Sequence, residues 1–162
     1  MSAEYEAVTV RAATRDDLPF VRVLAARLVA FEGLTTRDPA AVLASSERTL
    51  EEAVEQTVQG SPTVAVLVAE AAGGARLGCV QVQRGAEYFS GDAEAYVGVL
   101  AVAEDAEGRG VGRVLMEGAE AWARERGLRR LALEVFANNG GARAFYERLG
   151  FAEDSLRVVK RL

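Results

Sequence analysis

The most constraining stretch of the chain is Val102-Ala103-Glu104-Asp105-Ala106-Glu107-Gly108-Arg109-Gly110-Val111-Gly112-Arg113. The nearly continuous apolar run Ala95 to Val102 leads into it and reads as a strand. Gly110 to Arg126 leaves it with Val111, Val114, Leu115, Gly118 and Trp122 on one helical side, and Gly127 stands where a left-handed C-cap belongs. Three alternating glycines between a strand and a helix exceed what a plain turn needs. Glycines let the backbone approach a ligand and turn its N–H groups inward, and the helix start adds free donors and partial positive charge. The pattern predicts an anion cradle suited to a phosphate or diphosphate. The two common phosphate fingerprints do not fit. A dinucleotide loop counted from Gly108 needs glycine where Arg113 stands, and no Gly-Lys-Ser/Thr follows for a nucleoside triphosphate.

The rest of the chain reads around this loop. Val8 to Ala12 is a strand, and Thr14-Arg15-Asp16-Asp17 starts a helix that carries Leu18, Val21, Ala25, Leu28 and Val29 and ends at Phe31-Glu32-Gly33. Pro39 opens a second helix to Val58, with Leu43, Leu50, Ala53, Val54 and Thr57 inward. Thr63 to Ala69 and Leu77 to Gln83 are strands joined at Gly73-Gly74; in the second, Val80 and Val82 face one way and Cys79, Gln81 and Gln83 the other. Beyond Gly127, Arg130 to Phe136 is a fifth strand. Asn139 to Leu149 is a helix with Ala142, Phe145, Tyr146 and Leu149 on one stripe, and Phe151 to Arg161 supplies one or two final strands. This order predicts an α/β fold with a mixed sheet. The 162 residues are enough for one core that buries roughly 69% of the unfolded chain's surface, so a single domain over residues 1–162 is expected.

Composition removes several functions. With no histidine in the chain, Ser-His-Asp and Cys-His nucleophile systems are excluded, and a catalytic metal is not expected. Cys79 is the only cysteine, so no internal disulfide forms and a cytoplasmic setting is expected; inside a strand it reads as a small buried hydrophobe. The net charge of −5 argues against a nucleic-acid partner. No run of 18 apolar residues spans a membrane, and Met1 to Glu6 lacks an apolar leader, which argues against secretion. The acidic stretch Glu87 to Glu94, with Tyr88 and Phe89, reads as a solvated hairpin tip or as a lure for a cationic amine.

Glu107-Gly108-Arg109-Gly110-Val111-Gly112 resembles the Gln/Arg-x-x-Gly-x-Gly/Ala loop that binds acyl-CoA in the GNAT superfamily of N-acetyltransferases. Asn139-Gly140-Gly141-Ala142 followed by Tyr146-Glu147-Arg148-Leu149-Gly150-Phe151 resembles the same family's second motif, in the right order and spacing. The resemblance implies a GNAT-like, mostly antiparallel mixed sheet flanked by helices and transfer of acetyl from acetyl-CoA to a primary amine of a small molecule or peptide. It implies that Glu107, Gly108, Arg109, Gly110, Val111, Gly112 and Arg113 cradle the diphosphate and that the pantetheine arm pairs with backbone near Leu100, Ala101 and Val102, the Leu100 N–H polarising the thioester carbonyl. Asn139 bonds backbone or cofactor, and plain N-capping explains it equally. Glu107 departs from the family's Gln or Arg; a carboxylate about 6 Å from a phosphate costs on the order of 1 kcal/mol, which Arg109 and Arg113 can offset.

The resemblance makes Tyr146 the acid for the leaving thiolate, with a core tyrosine as the structural reading. The glutamate that many relatives carry two residues before the position of Leu100 is Gly98 here. The substitute is Glu134, twelve residues before Tyr146 and alone on an apolar strand. There it is expected on the face of Ala132 and Phe136, with burial raising its pKa toward that of a base. An ion pair with Arg129 or Arg143 is the competing reading, and Glu32, Glu94 and Tyr96 are further bases through water. The rival function is an acyl-CoA-binding sensor that keeps the cradle and lacks the base. A homodimer through an edge strand Leu156 to Arg161 is left open.

Overall fold

A computed structural model describes residues 7–29 and 36–162. The expected end of the first helix at Phe31-Glu32-Gly33, and with it Glu32 as a base, lies outside the described residues. Five strands form one sheet: β1 (Val8–Ala12), β2 (Val64–Ala71), β3 (Arg76–Ala86), β4 (Ala93–Val102) and β5 (Leu131–Leu133). They lie in sequence order, antiparallel from β1 to β4, with β5 parallel to β4. The helices are α1 (Leu18–Ala25), α2 (Pro39–Val58), α3 (Val111–Glu125) and α4 (Gly140–Arg148). The fold is thus the expected α/β arrangement of a mixed, mostly antiparallel sheet between helices.

Two apolar layers hold it. On one face Leu115, Met116, Ala119 and Trp122 of α3 cover Ala65, Ala69, Val80 and Val82, with Phe145 and Tyr146 of α4 and Leu149 just after it at the margin. On the other face Val21 and Leu24 of α1 and Leu50 and Val54 of α2 cover Val64, Val66, Val68 and Cys79. Burial pushes the Cys79 thiol up to about 12, helped by the Asp17 charge, so it is no nucleophile. β2 supplies both layers because its alternate side chains point to opposite faces and each face has helices to meet. Gly118 is what lets α3 come this close: a Cβ there would meet Val10 and Leu67 side chains at 3.1 and 3.2 Å.

One fully buried carboxylate ties the sheet to the first helix. Asp17, just before α1, accepts from Arg11 of β1 at 2.8 and 3.0 Å, from Arg76 of β3 at 2.5 Å and from the Thr14 amide at 2.8 Å. Burial alone would raise its pKa. The two guanidinium groups and the amide outweigh burial and hold the carboxyl well below the usual range.

Two expectations are corrected. The fifth strand covers Leu131–Leu133 and not Arg130 to Phe136, because β4, its one neighbour among the described residues, pairs with it from Ala95 to Val97 alone. No strand forms in 151–162. Leu156, Val158 and Val159 are exposed there, and among the described residues no strand lies beside them. A preformed Leu156 to Arg161 edge for pairing with a second copy is therefore absent.

Candidate active site

The centre of β4 is irregular. Gln81 of β3 lies opposite Val99, while the next residue, Val82, lies opposite Val97, so Gly98 is an extra, unpaired residue. The bulge shifts the alternation of β4 by one. Ala95 and Val97 face α3, but past Gly98 it is Leu100 and Val102 that do so, while Val99 and Ala101 face α1 and α2. Beside the bulge, β5 ends its pairing at Val97. From Gly98 to Val102 the outer edge of β4 therefore has no strand beside it among the described residues. Leu100, Ala101 and Val102, expected to receive a pantetheine arm, are on this open edge.

The edge runs directly into the glycine loop. Ala106 is fully buried and anchors a short helical turn over Glu104–Ala106. Gly108 and Gly110 then take φ of 71° and 79°, the left-handed region that glycine enters without strain. Gly110 is the N-cap of α3 and accepts the first helical bond from Val114, so the amides of Val111, Gly112 and Arg113 have no acceptor within the helix. Val111 is buried, whereas Arg109 and Arg113 are exposed at the mouth of this turn. Amide donors and the positive helix end meet there, Arg109 and Arg113 belong to the same stretch of chain, and the residues present fit a diphosphate.

Glu107 carries the wrong charge for an anion site, and the structure shows how that charge is managed. Its carboxylate is hydrogen-bonded to Arg27, from the turn after α1, and Arg27 also lies 3.8 Å from Glu104. This contact spans 80 positions of sequence and has no signature in it.

Tyr146 projects from α4 into the margin of the α3-side layer. Its ring stands edge-on to Phe145 and Phe151, with centroids 5.2 and 5.6 Å away. Burial pushes its phenol up to about 12. It holds its proton firmly through the neutral range, as a proton donor must. Asn139 caps α4, its Oδ1 accepting from the Ala142 amide at 3.1 Å.

Glu134 differs from expectation. β5 ends one residue earlier, so strand alternation no longer applies, and the carboxylate is exposed and not buried. Its backbone is tied to β4 through Tyr96. The Glu134 amide donates to the Tyr96 hydroxyl oxygen, and burial together with the Glu134 charge raises the Tyr96 pKa. Glu94 is buried and faces Arg130 at 3.2 Å, which occupies it as an ion-pair partner. The pairing of Glu134 with Arg129 or Arg143 is not what forms: Arg143 bonds to Glu153 and to the Ala137 carbonyl at 3.1 Å. Past Glu134, the Arg37 guanidinium lies 5.3 Å from the Phe136 ring centre, and the two residues line an open cleft of about 390 Å³ with Val42 and Ser46 of α2.

Among the described residues no group of three or more acidic, cysteine or histidine side chains is placed to hold a metal ion, and no helix is long and apolar enough to cross a membrane.

Comparison with known proteins decides the family. The sequence profile of the acetyltransferase (GNAT) family matches residues 29–151. This chain belongs to that family. An aminoglycoside N(6')-acetyltransferase type 1 of Stenotrophomonas maltophilia is 36% identical over 98 residues, 59% of this chain and 63% of that protein. The uncharacterized N-acetyltransferase YdgE of Bacillus subtilis is 35% identical over 69 residues, 43% of this chain and 44% of that protein. The chain thus spans less than two thirds of these curated relatives. Among solved structures, a GCN5-related N-acetyltransferase from Ralstonia eutropha JMP134 superposes with a TM-score of 0.71 at 22% identity, covering 96% of this chain and 99% of that one. The aminoglycoside acetyltransferase AAC(6')-Iy, in complex with a bisubstrate analogue of CoA, superposes with a TM-score of 0.67 at 21% identity, covering 96% and 98%. Both share the fold.

Proposed function

We propose that this GNAT chain transfers an acetyl group from acetyl-CoA to a primary amine of a small molecule or peptide. The observation that carries the reading is the open edge of β4 from Gly98 to Val102, continuous with left-handed glycines at the start of α3. An extended pantetheine arm adds to such an edge as a strand would, and the diphosphate then falls on the amides of residues 108–113. Arg109, Arg113 and Asn139 complete the binding surface, and Arg27 relieves the repulsion that Glu107 would exert.

The chemistry follows from the groups on either side of the edge. The amine nitrogen attacks the thioester carbon, the Leu100 N–H stabilises the oxyanion, and the carbon–sulfur bond breaks. An amine of lysine type has a pKa near about 10.4 and must lose a proton before or during attack. Glu134, exposed and beside Tyr96, accepts that proton through water. Tyr146 gives its phenolic proton to the departing thiolate. The aminoglycoside acetyltransferase relative puts aminoglycosides in the acceptor panel, and polyamines, amino acids and peptide N-termini join them as primary amines.

Gly98 favours one second reading. Where relatives carry a glutamate this chain has no side chain, which also fits a non-catalytic acyl-CoA sensor. Incubation of the protein with acetyl-CoA and a library of primary amines, following free CoA thiol, separates the two. Thiol release above hydrolysis with at least one amine supports transfer. CoA binding with no turnover of any amine supports the sensor.

A further inference from the structure

Two buried side-chain polar atoms have no hydrogen-bond partner among the described residues: Trp122 Nε1 and Gln81 Oε1. Trp122 belongs to the core, where Arg126 stacks on its ring at 4.2 Å. Gln81 is different. It is 1% exposed, lies in β3 beside the bulge and points away from α3, on the face of Cys79. Its Nε2 donates to Gln83 Oε1 at 3.0 Å, which fixes the amide plane and turns Oε1 toward β4. That oxygen stands where the Cβ of Gly98 would be, so a side chain at 98 and the present position of Gln81 exclude each other.

A buried amide oxygen without a donor costs about 1–3 kcal/mol, and folded proteins rarely tolerate one without cause. This one lies over the unpaired residue of β4, two positions before Leu100, on the side of the sheet opposite α3. We propose that Gln81 Oε1 is the acceptor that binds the N–H of the incoming primary amine, standing in for the side chain that Gly98 lacks. The inference rests on the acetyl-transfer reading. An amide oxygen is far too weak a base to take the proton. What it does is accept one N–H, hold the nitrogen at the bulge and leave its lone pair directed along β4 toward the thioester. The proton itself leaves through another route. Gly98 is the complement of this device: only a residue without Cβ leaves Oε1 in place.

The test uses three variants and an amine from the panel that the wild-type protein acetylates. Gln81→Met keeps the volume and removes the orphaned oxygen. Its thermal midpoint should rise by a few degrees, because no acceptor is left unpaired, while kcat/KM for the amine falls about tenfold or more with the Kd for CoA unchanged. Gly98→Ala should cause a similar kinetic loss by displacing the amide. In the Gln81→Met background the same alanine should cost almost nothing further, a coupling that general loosening of the strand would not produce. A lowered midpoint for Gln81→Met, a kcat/KM equal to wild type, or strictly additive effects of the two substitutions would each overturn the assignment. Wild-type inactivity toward every amine would instead remove the transfer reading on which it rests.

Discussion

Gly112 faces the ring of Phe145: a Cβ at 112 would meet Phe145 Cζ at 3.2 Å and Cε2 at 3.5 Å. Gly112 belongs to the first sequence motif and Phe145 stands directly before Tyr146 of the second, and the contact holds the start of α3 against α4. Gly112→Ala gains helix propensity of about 1 kcal/mol, but only if the half-buried ring gives way. Gly112→Val adds a branched side chain that the ring cannot clear. We expect the alanine variant to change stability little and the valine variant to weaken CoA binding at least tenfold. Calorimetric titration with CoA reads both.

Gly108 and Gly110 need their lack of a side chain for a different reason. Nothing lies within 4 Å of a Cβ at either, so no clash is involved, but both sit at positive φ. Gly110→Ala should cost about 1–2 kcal/mol through left-handed backbone alone, and the loop should relieve it by moving its amides out of line. CoA affinity should fall more than stability does, as paired calorimetry and thermal melts would show.

The Arg27–Glu107 contact predicts opposite effects for its two members. Arg27→Ala leaves the Glu104 and Glu107 charges unopposed beside the diphosphate turn, so CoA should bind more weakly, most visibly at low salt. Glu107→Gln removes repulsion worth about 1 kcal/mol and should tighten CoA severalfold. The exposed pair itself contributes little to folding, so the melting temperature should hardly move in either variant.

Asp17 sets an acid limit to stability. Its folded pKa is depressed, so its contribution is complete above the unfolded value of about 3.9 and disappears as pH falls from there toward the lower folded value. Melting temperature should therefore drop steeply below about pH 4. Asp17→Asn should flatten that slope and cost about 3 kcal/mol at neutral pH, since it leaves Arg11 and Arg76 without their buried anion.

Tyr146 behaves in the reverse sense. Its folded pKa is raised to about 12, so its share of stability is intact at neutral pH and is lost as pH climbs past about 10. The phenol also stays protonated throughout any practical assay range. Tyr146→Phe should leave CoA binding nearly intact and reduce turnover about 100-fold, with no new alkaline limb in the pH profile of wild type below about pH 10.

Much of this architecture is legible in the residues. Helix α2 begins at Pro39 and ends at Val58, where the proline and the Gly60-Ser61-Pro62 stop place it. The loop glycines 108 and 110 also mark their positive-φ positions openly. What the chain does not disclose are features that depend on a neighbour. Leu156 to Val159 has the composition of a strand, yet a strand exists only where another backbone meets it. Glu134 reads as buried because its flanks are apolar, but β5 has run out by that point. The Gly98 bulge is invisible because β4 is apolar on both faces, so a one-residue change of phase leaves the hydrophobic pattern unaltered. Arg27 and Glu107 lie too far apart in sequence for their contact to be read at all.

That change of phase has a consequence for any shortening of β4. Deleting Gly98 would join Val97 directly to Val99 and restore simple alternation, with every later side chain still facing the layer it faces now. Val99 and Ala101 would stay with α1 and α2, Leu100 and Val102 would stay with α3, and what would vanish is the kink and the one residue of the edge that no partner on β3 claims. One inserted glycine thus reshapes the rim of the sheet while the packing on both sides of it is left as it was.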